Sequence, residues 1–144
     1  MAAEQSLVER YVVTSFLEHA GQILLLRRSA RVGSYQGRWA GVSGSIEAGR
    51  TPLEQAIAEI EEETGLLPED VRVLASGEPL EVVDRQLGRR WIVHPFRFEV
   101  IRPEKLRLDW EHAEARWIAP AEIDSYPTVP GLAEAWRRVA ACQP

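Results

Sequence analysis

The stretch from Gly44 to Leu66, GSIEAGRTPLEQAIAEIEEETGL, constrains this chain more than any other, because it sets both ends of a helix and crowds one of them with acid. Thr51 followed by Glu54 has the spacing of a capping box, and Pro52 takes the first helical position, where a missing N–H costs nothing. Leu53, Ala56, Ile57 and Ile60 recur at helical spacing on one face, and Gly65 stands where a left-handed C-cap belongs. The pattern predicts a helix from Pro52 to about Thr64.

The acids in that helix are misplaced for stability. At roughly 100° per residue, Glu59, Glu62 and Glu63 project beside the apolar stripe and not opposite it, so they line a boundary. Glu59 and Glu63 form a like-charge pair at i,i+4. The last turn holds Glu61, Glu62 and Glu63 with no base, although a helix C-terminus favours cations. Two carboxylates ~6 Å apart repel by roughly 0.7 kcal/mol in water and about 3 kcal/mol at an effective dielectric near 20. A multivalent cation reverses that sign.

The order of residues from Gly44 resembles the box of the Nudix family of MutT-like hydrolases. That pattern is glycine, five residues, glutamate, seven residues, then Arg-Glu-apolar-any-Glu-Glu-any-Gly-apolar. Gly44, Glu59, Ile60, Glu62, Glu63, Gly65 and Leu66 fall in register. Two positions depart: Arg50 stands at the first glutamate, and Ala58 stands at the arginine that, by the resemblance, orients the helix carboxylates. The resemblance covers Tyr11 to Val139 and implies hydrolysis of a diphosphate linking a nucleoside to another group. Mg²⁺ suits that reaction, since it takes one or two carboxylates plus substrate phosphates, and Mn²⁺ should substitute. Glu59 and Glu63 are then expected to ligate the metal, with Glu62 as ligand or as acceptor for a metal-bound water. Glu59 or Glu111 is the expected general base. Gly44, lacking a side chain, lets the loop and helix approach the pyrophosphate.

Composition narrows the partners. The 144 residues are read as one domain, 1–144, large enough for a single core. A net charge of −5 and a pI near 5.3 argue against general binding to DNA, RNA or anionic membranes, so a small nucleotide-type substrate fits better. No apolar run is long enough for a span, and MAAEQSLVER lacks the layout of a signal peptide; a cytoplasmic location is expected. Association as a homodimer is left open. The lone Cys142 reads as a passive residue on a terminal helix.

The remaining elements frame the box. Tyr11–Leu17 and Gln22–Arg28 read as strands around a turn at Glu18–Gly21, and Trp39–Val42 as a short strand leading into Gly44. Between them SARVGSYQGRW is a glycine-bearing loop. Of Arg27, Arg28, Arg31 and Arg38, one is expected on a substrate phosphate, Arg27 and Arg38 being the residues assigned to substrate binding. Val71–Leu74, Leu80–Asp84 and Arg90–Val100 read as strands, with Pro95 pointing to an edge or a bulge and His94 to a packed side chain. A loop carrying Asp109, Glu111, His112 and Glu114 then leads into a strand, AEARWI. By the resemblance this loop brings another carboxylate to the metal, Glu111 first and Glu114 in reserve. Pro120–Ile123 starts a helical turn, and Gly131–Ala141 forms a helix with Leu132, Ala135, Trp136 and Val139 on one face.

These elements imply an α/β fold, a mixed β-sheet sandwiched between helices, which the Nudix resemblance also implies. The expected function is Mg²⁺-dependent hydrolysis of a nucleoside diphosphate derivative. Arg50 and Ala58 motivate the alternative, a Nudix-like domain that binds a nucleotide or protein partner with little or no turnover. Glu47, just ahead of Arg50, could stand in for the missing glutamate.

Overall fold

The computed structural model describes residues 6–140. Val8–His19 (β1) and Gln22–Arg28 (β2) form an antiparallel hairpin. Its two turn residues, Ala20 and Gly21, both take positive φ (51° and 79°), the mirror-image turn whose twist matches that of the strands. Trp39–Ala40 (β3) pairs with β2, and Val42–Ser45 (β4) pairs with β1. One strand was expected over Trp39–Val42; the break at Gly41 has a packing cause, since a Cβ there would lie 2.7 Å from the Ser15 carbonyl oxygen. Val71–Ser76 (β5) and Leu80–Asp84 (β6) both pair antiparallel with Arg89–Val100 (β7). β7 in turn runs parallel to β1, from Val8 opposite Arg89 to Glu18 opposite Glu99. His112–Ile118 (β8) closes on the far side of β2. The sheet is therefore mixed, in the order β3-β2-β1-β7-β5, with β4, β6 and β8 attached to β1, β7 and β2.

Pro95 sits in a central strand and not at an edge. Its carbonyl accepts from the Gly77 N–H (3.0 Å), so its own nitrogen faces the β5–β6 connection, where the partner of β7 changes and no ladder bond is required.

Helices cover both faces. Pro52–Thr64 (α1) lays Ala56 and Ile60 on Val13, Leu17, Leu24, Leu26, Phe96 and Phe98. Leu132–Ala140 (α2) lays Leu132, Ala135 and Val139 on Phe16, Ile23, Leu25, Val93 and Ile118. The alternation along β1, β2 and β7 assigns successive side chains to opposite faces, as a doubly covered sheet requires. Each fully buried Leu, Ile or Phe contributes about 1.5–3 kcal/mol. Trp136 of α2 meets Phe16 edge-on at 5.3 Å, whereas Leu53, expected on the α1 stripe, stays exposed. Cys142 lies outside the described residues. Among those residues, no helix is long and apolar enough to cross a membrane.

The ends of α1 form as the capping chemistry dictates. Thr51 Oγ1 accepts from the Glu54 N–H (3.1 Å), while the Glu54 carboxylate accepts from the Thr51 N–H (2.8 Å). Gly65 takes φ 75° and donates to the Glu61 carbonyl (2.9 Å). Beyond it, buried Asp70 accepts from the Leu67 N–H (2.9 Å) and from Arg102 (3.0 Å), tying the turn after α1 to the segment that enters the 106–111 loop. The Arg107 N–H donates to the Thr64 carbonyl (2.7 Å), so this loop starts from the very end of α1.

Candidate active site

At the C-terminal end of α1 three elements converge. Glu63 is 2% exposed, and its Oε1 faces His112 Nε2 at 3.4 Å. The other His112 nitrogen, Nδ1, lies 3.1 Å from Asp109 Oδ1, which also accepts from the Glu111 N–H (3.1 Å). A carboxylate at Nδ1 selects the tautomer with its proton there, which leaves the Nε2 lone pair turned to Glu63. One ligand atom each of Glu63, Glu111 and His112 lies within 4.8 Å of the others. His112 and Glu114 were expected in the loop; both lie on β8, which begins at His112, one residue ahead of AEARWI. The loop is pinned to the end of β2 by the Ser29 N–H donating to the Glu111 carbonyl (2.8 Å) and the Ser29 hydroxyl donating to that of Trp110 (3.0 Å).

The electrostatics follow from this crowding. Burial, and after it the adjacent Glu59, pushes the Glu63 carboxyl up to about 11. Burial also raises Glu111, with the charges of Asp109, Glu59 and Glu62 adding to it, and the neighbouring Glu59 is the main reason Glu62 is raised. His112 is held below the usual imidazole range by burial, which outweighs the nearby Asp109. Burial lowers Arg28, at the end of β2, from the usual guanidinium range, and the charges of Glu111 and Glu63 act against that shift.

These residues fit a divalent cation. Glu63 Oε2 is buried with no hydrogen-bond partner, a neutral imidazole offers a lone pair, and several carboxylates repel one another across a short gap. Glu63 and Glu111 of the expected set take part directly in the three-residue cluster, with His112 as the third member. Glu59 and Glu62 stand beside it on α1, half-buried and exposed respectively. Gly44, on β4, packs so tightly on Glu59 that a Cβ would lie 2.2 Å from its carboxyl carbon. A side chain at position 44 would therefore displace the Glu59 carboxylate.

Next to the acids lies a cleft of about 250 Å³ lined by Gly44, Arg28, Tyr35, Trp91, Thr14 and Ser43, among others. Arg27 and Arg38 are not among its lining residues. Arg27 pairs with Glu114 across the β2–β8 ladder (3.3 Å), and exposed Arg38 donates to the Thr128 carbonyl (3.2 Å). Glu47 and Arg50 pair with each other (3.6 Å), and His94 is half-buried in β7. Sequence reasoning offered Arg28 as one of four arginines without choosing it, named His112 only as part of its loop, and passed over Gln55. Arg28 follows the continuous apolar run ILLL, in which no alternation reveals which side chains share a face. His112 carried one usable signal, its position directly after Glu111 at the mouth of a strand.

With this geometry in place, the comparisons decide the family. The NUDIX domain model matches residues 9–139. The chain belongs to the Nudix family. Over 118 residues it is 31% identical to a protein of Mycobacterium tuberculosis (strain H37Rv) named putative 8-oxo-dGTP diphosphatase 3, covering 81% of this chain and 53% of that protein. The chain thus spans about half the length of this relative. Among solved structures, a Nudix hydrolase from Nitrosomonas europaea superposes with a TM-score of 0.73 at 18% identity, covering 91% of this chain and 88% of that one. A C. elegans Ap4A hydrolase in a binary complex gives 0.72 at 19%, covering 92% and 94%. The mixed sheet between helices is the Nudix fold.

Proposed function

We propose that this Nudix protein hydrolyses the diphosphate linkage of a nucleoside diphosphate derivative with the help of Mg²⁺ or Mn²⁺. The observation that carries the reading is the buried, unpartnered Glu63 oxygen, clustered with Glu111 and His112 beside a cleft that Gly44 and Arg28 line. Glu63, Glu111 and His112 would hold the ion, with Glu59 and Glu62 beside them. When bound, it supplies charge neutralisation to substrate oxygens and activates water. Arg28 binds a phosphate of the substrate, and the bare backbone at Gly44 admits the pyrophosphate. Glu111 or Glu59, the two half-buried carboxylates of the site, accepts the proton of the attacking water. The relatives' names, a putative 8-oxo-dGTP diphosphatase and an Ap4A hydrolase, agree with an anhydride of this type.

The test is release of phosphate or nucleoside monophosphate from a panel of diphosphate compounds with Mg²⁺ or Mn²⁺, wild type against Glu63→Gln. Turnover by the wild type that the substitution abolishes is expected. Metal binding without turnover on any compound would favour a nucleotide-binding domain, the reading that Arg50 and Ala58 motivate. Absence of metal binding would sink both.

A further inference from the structure

Gln55 is 1% exposed, one helical turn ahead of Glu59, and every polar group of its side chain is engaged. Its Oε1 accepts from the Glu47 N–H (3.1 Å) and from Arg50 (3.3 Å), while its Nε2 donates to Glu59 Oε1 (2.9 Å). The amide orientation is decided by chemistry, since the reverse would set its NH₂ against two donors and its oxygen against a carboxylate. Glu59 is thus held from two sides, by Gln55 and by the β4 backbone pressed on it at Gly44.

We propose that Gln55, polarised by Arg50, is the positioning residue for Glu59 and replaces the box arginine that this chain lacks at Ala58. This rests on the metal-dependent hydrolase reading. The box pattern has an acid where Arg50 stands and a base where Ala58 stands, so the positive charge has moved from the helix to the preceding loop. A neutral amide carries its influence to the carboxylate: Arg50 draws on the Gln55 oxygen, and the opposite end of the amide becomes the better donor. Arg50 is itself steadied by Glu47 (3.6 Å).

A purely structural Gln55, anchoring the 47–50 loop to α1, makes a different prediction, and Gln55→Glu separates the two. That substitution keeps an acceptor for the Glu47 N–H and Arg50 but removes the donor to Glu59. At alkaline pH, where the introduced carboxyl is ionised, Gln55→Glu should lower both Mn²⁺ affinity and kcat by about 10–100-fold, the usual cost of losing a group that orients a metal ligand. KM should change little. Arg50→Ala, at an exposed site, should give a smaller loss in the same direction. Ala58→Arg alone should change either quantity less than about twofold, yet in Gln55→Ala it should restore most of the loss. Mn²⁺ titration by calorimetry and single-substrate kinetics, with melting temperatures alongside, read these outcomes. Equal Mn²⁺ affinity and kcat in wild type and Gln55→Glu would overturn the inference alone, as would a double variant no better than Gln55→Ala. Wild-type protein that binds no Mn²⁺ would overturn the functional reading and this inference together.

Discussion

The two helices of this protein do opposite things with charge. In α2, Glu134 stands in the first turn and Arg137 and Arg138 in the last, as the helix dipole favours, and both arginines pair back to Glu134 at 3.0 and 3.1 Å. In α1 the last turn carries three glutamates and no base, and one of them is buried. α2 is arranged for stability, its apolar face closing one side of the sheet. α1 shares that task on the other side through Ala56 and Ile60, but its acids oppose folding and make sense only beside something cationic. Departures from local rules of stability concentrate where the chemistry is proposed to happen.

The largest test of this contrast is Glu63→Gln. The proposed ion loses its buried ligand, and kcat/KM should fall about 10³-fold, equivalent to ~4 kcal/mol of transition-state stabilisation. A loss below about tenfold in steady-state assays would remove Glu63 from the centre of the site. The opposite outcome is expected from the other face. Leu132→Ala opens the core under α2 and should cost about 2–5 kcal/mol in denaturant unfolding, with Mn²⁺ affinity and kcat of the folded protein unchanged. If it altered metal affinity tenfold, the two faces would not be separable.

How far the sequence reveals each face follows from the range of the forces involved. The span of α1 is legible to the residue because its caps are written within four residues at either end, and β2 is equally plain from its apolar run. The break at Gly41 and the placing of Pro95 inside β7 depend on Ser15 and on the β5–β6 junction, residues far away in the chain. The site divides in the same way. Glu59, Glu62, Glu63 and Gly44 are read from register with the Nudix box. Arg28 and His112 acquire meaning only when β2 and β8 pair, bringing Arg28 opposite His112. Gln55 looks like an ordinary polar position on an amphipathic helix until the 47–50 loop folds over it.

A more gradual effect lies in the pH dependence of the metal-free protein. The Glu63 carboxyl is raised from its ordinary value to about 11 in the folded state, so between these limits the folded protein holds a proton that the unfolded chain has lost. Stability is then greatest below the unfolded pKa and declines as pH rises toward the folded one. Between about pH 5 and about pH 9 the metal-free protein should lose stability at on the order of 1 kcal/mol per pH unit, because over that range only the unfolded chain releases the Glu63 proton. Glu63→Gln should flatten the decline, and Mg²⁺ or Mn²⁺ should offset it by binding the folded state alone. Thermal melts with and without chelator would show this, and a wild-type profile that is flat without metal would contradict it.

The smallest effect sharpens the comparison most. Glu61 sits in the last turn of α1 with the other acids, but it is exposed and occupies a position where the Nudix box accepts any residue. If the acids of α1 are tolerated for the site and not for the helix, Glu61 is the one with no reason to stay. Glu61→Lys places a cation at the negative end of the dipole, as α2 already does, and should raise stability by about 0.3–1 kcal/mol. Activity and Mn²⁺ affinity should remain within about twofold of wild type. The same change at Glu62, one residue on, sets a cation beside Glu59 and should weaken Mn²⁺ binding. Equal behaviour of the two substitutions would mean that the acidic turn acts as a diffuse patch of charge, whereas a clear difference between neighbouring glutamates would show that the site is built residue by residue.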